Sequence, residues 1–213
     1  MDYLKYNRSN NKVILDSSNY NKIKVIDDFL PKEQFDIFYK RILLEKIVGW
    51  SWCDEVDYGK DERFQFVHQF FTPTQGVVSP VYELVEPFVD LLQMESVCRI
   101  KANLTTRTEN HIEGKFHYDH ELAGARLEDG TLIGYTAIYY VNTTNGYTLF
   151  QSGEKVKSVA NRIVIFDSSK LHKGVTCTDE KRRVVFNFNY FTSQYGADSQ
   201  MIKATKLFNE ANA

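Results

Sequence analysis

The sequence predicts a mostly β protein, a two-sheet jelly roll with helices packed on the sheet, and three observations predict it. Across residues 96–191 the chain carries short β-rich runs parted by turn signals at Asn145-Gly146, Gly153, Ser168-Ser169 and Thr178-Asp179. Helical spacing of apolar residues occurs only outside that run, before it and in the C-terminal tail. Aromatic content is 14%, with 13 Tyr and 15 Phe, and wide side chains pack well on a pleated surface. Strands at short spacing with no helices between them fit an antiparallel sandwich or barrel, not an alternating α/β chain.

The elements follow in order within one domain, 1–213. Residues 1–21 are polar and Asn-rich, a lead-in. A supporting strand and helices occupy 22–95, the jelly-roll core 96–195, and a C-terminal helix 196–213. "KIKVIDDFL" alternates and then turns, as a strand does. Pro31 suits a helix start, where its missing N–H costs nothing, and Phe35, Phe38, Ile42 and Leu43 continue at helical spacing to about Val48. "GWSWCDEVDYGKDER" reads as irregular, and "RFQFVHQFF" as a strand. A second helix spans about 79–94, with Pro87 as a candidate kink. The core strands are "SVCRIKANLTTRT", "TLIGYTAIYYVN", "YTLFQ", "KVKSV", "RIVIFD", "GVTCT" and "RRVVFNFNYF".

With 213 residues and 43% apolar content the chain can bury a proper core. A net charge of −2 argues against a protein that coats nucleic acid, and no nucleic-acid partner is expected. Cys53, Cys98 and Cys177 form no CxxC, so neither a zinc ribbon nor a disulfide framework is indicated. No signal-type or membrane-spanning run is present, so the expected setting is the cytoplasm (of the host, should the gene be viral), with no membrane partner.

"KFHYDHE" concentrates two of the five histidines beside an aspartate. On an extended segment His117 and Asp119 point the same way and His120 points away. One imidazole and one carboxylate make two legs of a metal site. Among His68, His111 and His172, the last stands out, because it follows "RIVIFDSSKL" and early and late strands of a jelly roll are neighbours. Two histidines and a carboxylate leave open positions on a metal, an arrangement suited to non-haem Fe(II) and O2 chemistry. Arg182 and Arg183 lie ten and eleven residues after His172. Arg183 shares strand parity with Asn187 and Asn189, whereas Arg182 shares it with Phe186, Phe188 and Tyr190, so Arg183 is the better candidate for a polar pocket. Asn189 is a further candidate for the pocket lining. His120 reads as an outer neighbour of the site or a surface residue, His68 and His111 as ordinary histidines, and Trp50 and Trp52 as packing anchors in a stretch that is also a candidate lid.

"HYD", then "NGYTLF", then "RIVIFDSSKLHKG" with a basic residue ten or eleven later, resembles the Fe(II)/2-oxoglutarate-dependent oxygenases, within them the prolyl 4-hydroxylase-like branch. The resemblance covers roughly residues 99–191, and "IKVIDDFLPKEQFDIFYKRI" is similar to that branch's opening strand and helix. It implies a double-stranded β-helix of cupin-like type, with Fe(II), 2-oxoglutarate and O2 as cofactor and co-substrates. His117, Asp119 and His172 would be the iron ligands and catalytic centre. Arg183, or else Arg182, would hold the distal carboxylate of 2-oxoglutarate, with Thr148 of "NGYT" beside it. The implied reaction is hydroxylation of an unactivated C–H of a prolyl, other peptidyl or small-molecule substrate, releasing succinate and CO2. Related halogenases lack the carboxylate that Asp119 supplies, which favours hydroxylation. Prolyl hydroxylases commonly carry lysine where this chain has arginine, a departure from that exact activity. Two rivals stand beside this reading. One is a metal-free jelly-roll binding module. The other is a zinc hydrolase, since "HYDH" resembles the tail of an HxHxDH motif whose first histidine is here Lys115.

Overall fold

Residues 23–56, 63–119 and 134–191 are described by this computed structural model, and their strands sort into two sheets. In chain order the strands are β1 (Lys24–Ile26), β2 (Ser51–Cys53), β3 (Gln65–Thr72), β4 (Gly76–Val77), β5 (Ser96–Thr106), β6 (Tyr135–Tyr140), β7 (Tyr147–Phe150), β8 (Lys155–Lys157), β9 (Arg162–Asp167), β10 (His172–Val175) and β11 (Arg182–Phe191). The larger sheet runs β1-β9-β6-β11-β5-β3-β2 with β4 paired to β3, and the smaller runs β10-β7-β8. Isolated antiparallel bridges Glu113–Val175 and His117–His172 lay the segment before Asp119 along the other edge of β10. This is the predicted jelly roll. The predicted lead-in, the C-terminal helix and His120 lie outside the described residues.

The larger sheet is covered on both faces, and the period of two sorts its side chains. On the outer face Tyr139, Phe186 and Phe188 meet helix α1 (Lys32–Tyr39) and helix α2 (Glu86–Leu91). Phe38 lies 5.7 Å from Tyr139 and 5.1 Å from Phe186, and Phe88 lies 4.9 Å from Phe188, ring to ring. On the inner face Ile138, Tyr140, Val164, Phe166 and Val185 pack with Phe150 and Val156 of the smaller sheet. Each large side chain buried this way stabilises by about 1.5–3 kcal/mol. A one-residue slip of β11 would turn Val184, Phe186 and Phe188 away from the helices. Their burial therefore aims Arg183, Asn187 and Asn189 at the space between the sheets.

Three elements differ from expectation. The helix expected to reach Val48 is α-helical only to Tyr39 and passes into a π-helical turn, Lys40–Leu44, where the consecutive Ile42 and Leu43 are both buried. The helix expected over 79–94 splits into a 3-10 turn, Tyr82–Leu84, and α2. Pro87 sits in the first turn of α2, where no N–H is required, so it belongs to a fresh start instead of a kink. The stretch expected to be irregular after Gly49 carries β2, whose Trp52 pairs with Phe66 of β3.

Candidate metal centre and its cavity

His117 and His172 face each other as a hydrogen-bonded antiparallel pair. The His117 N–H donates to the His172 carbonyl at 3.0 Å, and the His172 N–H returns the bond at 3.1 Å. Their rings lie 4.8 Å apart. Each Nδ1 sits on a backbone carbonyl two residues upstream, His117 on Lys115 O at 3.0 Å and His172 on Lys170 O at 3.1 Å. A carbonyl only accepts, so in both rings Nδ1 carries the proton and Nε2 keeps the lone pair a metal needs. Asp119 completes the group: one ligand atom from each of the three residues lies within 4.8 Å of the others. An ion bound at about 2.1 Å draws neighbouring donors to about 3 Å apart, so the group need close only modestly. The donor set fits a borderline divalent metal.

Charge supports the same reading. Burial raises the Asp119 carboxyl, but the Arg99 guanidinium, His172, His117 and Asn189 outweigh it and hold the group well below the ordinary carboxylate range. Burial depresses His172 below the usual imidazole value, with Asp119 opposing. Phe166 lies edge-on to the His172 ring at 4.8 Å and keeps that side dry. Asp119 is thus held as an anionic carboxylate and His172 is biased toward its neutral imidazole, the protonation states in which these groups bind metal.

From this centre a cavity of about 240 Å³ runs between the sheets to Arg183. Arg183 is buried; its Nε donates to Ser158 Oγ at 2.7 Å and one terminal nitrogen to Thr148 Oγ1 at 3.4 Å. Tyr140 lies under the guanidinium, 5.5 Å from ring centre to carbon, and donates its hydroxyl to Thr148 Oγ1 at 2.8 Å. Among the described residues no carboxylate pairs with this cation. Gly174 of β10 stands opposite Thr148 in register, two residues from His172. Two strand residues are about 7 Å, so the cation stands roughly the length of a five-carbon dicarboxylate from the metal centre. Gly146 makes this end of the site fit: a Cβ there would meet Arg183 Cδ at 2.9 Å and Val175 O at 2.9 Å.

No family model and no curated protein sequence matches this chain. Solved structures do. A 2OG-Fe(II) oxygenase-family oxidoreductase from Burkholderia pseudomallei aligns with a TM-score of 0.52 at 11% identity, over 79% of this chain and 85% of its own. A prolyl hydroxylase from Trichoplax adhaerens, in complex with a hypoxia inducible factor peptide fragment, gives 0.52 at 14% identity, over 87% and 88%. The non-heme alpha ketoglutarate dependent epimerase SnoN from nogalamycin biosynthesis gives 0.52 at 13% identity, over 82% and 78%. The fold is that of the 2-oxoglutarate/Fe(II) oxygenases. At these identities the likeness concerns the fold, and the three relatives already span different reactions.

Within this oxygenase fold the other sequence candidates separate. Arg182 turns to the outer side, donating to Leu43 O at 3.2 Å, away from the cavity. Thr148 and Asn189 both face the site. His68 is a structural tie, its Nδ1 donating to Gly49 O at 2.6 Å and its Nε2 accepting from Ser79 Oγ at 2.8 Å. His111 is another, bonded to Thr176 O at 2.6 Å. Trp50 packs on the main core, whereas Trp52 is 56% exposed and stacks on Phe64 at 4.4 Å. Neither tryptophan lines the cavity; Cys53, Glu55 and Val56 of the same stretch do. Arg99, which the motif reading passed over, lies at the heart of the site. Its only sequence signal is the alternation of Arg99, Lys101, Asn103 and Thr105 along one face of β5.

Proposed function

We propose that this chain is an Fe(II)- and 2-oxoglutarate-dependent dioxygenase that hydroxylates an unactivated C–H. One observation carries the proposal: a cavity with a two-histidine, one-carboxylate group at one end and, at the other, a buried arginine with no acidic partner among the described residues. Bound Fe(II) and 2-oxoglutarate supply the oxidising chemistry with O2, releasing succinate and CO2. The chain's own work is binding and orientation. His117 and His172 offer Nε2 to the metal, and Asp119 offers carboxylate oxygen. Arg183 binds the distal carboxylate of 2-oxoglutarate in a charge-assisted pair, with Thr148 beside it. Phe150 and Phe166 hold water off the His172 side.

The proposed prime substrate is peptidyl, prolyl included, or an amino acid. Support comes from the mixed polar lining of Glu55, Arg63, Gln65 and Lys101, which suits amide groups and charged termini better than a hydrocarbon. The cytoplasm is the proposed compartment. Cys53, Cys98 and Cys177 are not joined to one another by disulfides, as a reducing setting allows, and no helix among the described residues is long and apolar enough to cross a membrane.

Anaerobic titration of the metal-free protein with Fe(II) and 2-oxoglutarate tests the proposal. The expected result is a visible charge-transfer band of the chelate, lost in His172→Ala and in Asp119→Ala. Tight zinc binding with no such band would favour the hydrolase rival. A folded protein that takes up neither metal would favour a binding module.

A further inference from the structure

We infer that Arg99 is a positioning residue for the Asp119 carboxylate and, with Asn189, holds it as a one-oxygen ligand. The inference rests on the iron reading above and goes beyond its ligand set. Arg99 of β5 and Asn189 of β11 are direct cross-strand partners, so the pleat projects both into the cavity. They close a ring of hydrogen bonds with Asp119. Arg99 Nη2 donates to Asp119 Oδ1 at 3.1 Å, and Arg99 Nε donates to Asn189 Oδ1 at 3.1 Å. Asn189 Nδ2 donates to Asp119 Oδ2 at 3.1 Å and also to Thr136 Oγ1 at 3.1 Å. Arg99, Asp119 and Asn189 are all buried, at 6%, 6% and 0% exposure, so water does not compete for these bonds.

The ring treats the two carboxylate oxygens differently. Oδ1 faces the guanidinium, whereas Oδ2 faces His172, 3.9 Å from its Nε2. Only Oδ2 is turned toward the place a metal shared with the histidines would occupy. The consequence is a matter of coordination positions. Three protein atoms would hold the metal and leave further positions on it for the keto-acid co-substrate and O2. A carboxylate free to rotate and bind through both oxygens would close one of them. Arg99 prevents that rotation and fixes the carboxylate plane, as outer-shell partners of metal ligands generally do.

The experiment uses the full chain, comparing Arg99→Gln, Arg99→Lys and Asn189→Ala with the parent. Fe(II) dissociation constants, the position of the 2-oxoglutarate charge-transfer band and thermal unfolding are all measured. Arg99→Gln is expected to weaken Fe(II) binding by about 10- to 100-fold and to move the band. Arg99→Lys retains the charge but not the planar fork, and is expected to recover unfolding temperature while the band stays displaced. Asn189→Ala breaks the other arm and should act in the same direction with a smaller loss. It also decides the matter should Arg99→Gln not fold. A folded Arg99→Gln, or failing that Asn189→Ala, with parental Fe(II) affinity and an unmoved band overturns the inference while leaving the oxygenase reading intact. A parent protein that forms no chelate overturns both.

Discussion

Arg183→Met sets two effects of one buried charge against each other. In the free protein the guanidinium is buried, held by Ser158, Thr148 and the Tyr140 face without a carboxylate among the described residues. Burial pulls its pKa below the ordinary arginine value, with Tyr140 and Cys177 opposing, a sign that the cation is held there at a cost. Methionine fills a similar volume without charge. Exchanging a buried charge for a packed apolar group is often neutral or stabilising, by about 1–4 kcal/mol. Ser158 loses its donor, which reduces the gain to about 1–2 kcal/mol. For a chain of this length each kcal/mol is worth about 2–4 °C, so the metal-free variant should melt roughly 2–8 °C higher. Binding of 2-oxoglutarate should move the other way. Truncating one member of a buried charge pair costs about 2–5 kcal/mol, or between ~30-fold and a few thousand-fold in affinity. Scanning calorimetry reads the first effect and an anaerobic Fe(II)/2-oxoglutarate titration the second. Arg182→Ala is the control, expected to change 2-oxoglutarate affinity less than about twofold, because the side-chain bond it removes is a part-buried one to the Leu43 carbonyl, away from the cavity. Unchanged 2-oxoglutarate binding in Arg183→Met, or a large loss in Arg182→Ala, would refute the reasoning.

Two further perturbations probe the same cavity. Gly146→Ala inserts a Cβ at 2.9 Å from the Val175 carbonyl and from Arg183 Cδ, and the backbone neighbour has little room to give. It should destabilise by about 1–3 kcal/mol and raise the 2-oxoglutarate requirement while Fe(II) affinity stays near parental. Parental 2-oxoglutarate dependence in that variant would show that Arg183 is not so closely seated. For pH, burial lowers the folded-state pKa of His172, so the unfolded chain binds a proton there first as pH falls. Stability of the metal-free protein should therefore be full above about 6.5, the unfolded imidazole value, and decline as pH drops through the lower folded value. Urea unfolding at stepped pH checks this, with His172→Leu expected to flatten the decline; an equally steep decline in that variant would count against the assignment.

Much of the site was legible because its signals are local. Along β11 the alternation of Arg183, Val185, Asn187 and Asn189 with Val184, Phe186, Phe188 and Tyr190 divides a polar face from an aromatic one. Strand geometry converts that period into direction, so the opposite facing of Arg183 and Arg182 needed no knowledge of neighbours. His117 and Asp119 shared a side by the same rule. The β-rich run and its turn residues likewise predicted two sheets, since turn chemistry and residue propensity act over a few positions.

What tertiary structure alone decided concerns partners distant in the chain. Arg99 looked like any charged residue in a strand until β5 was laid beside β11, which brought it against Asn189 and Asp119. The pairing of His117 with His172 depends on which strand edge the segment before Asp119 joins. β2 took strand form because β3 offered an edge to "SWC", and the helix around Pro87 split where the chain turns onto the sheet. Local sequence sets side-chain direction through the backbone's period. Strand order and helix docking minimise the free energy of the whole core, and no short window of sequence contains that sum.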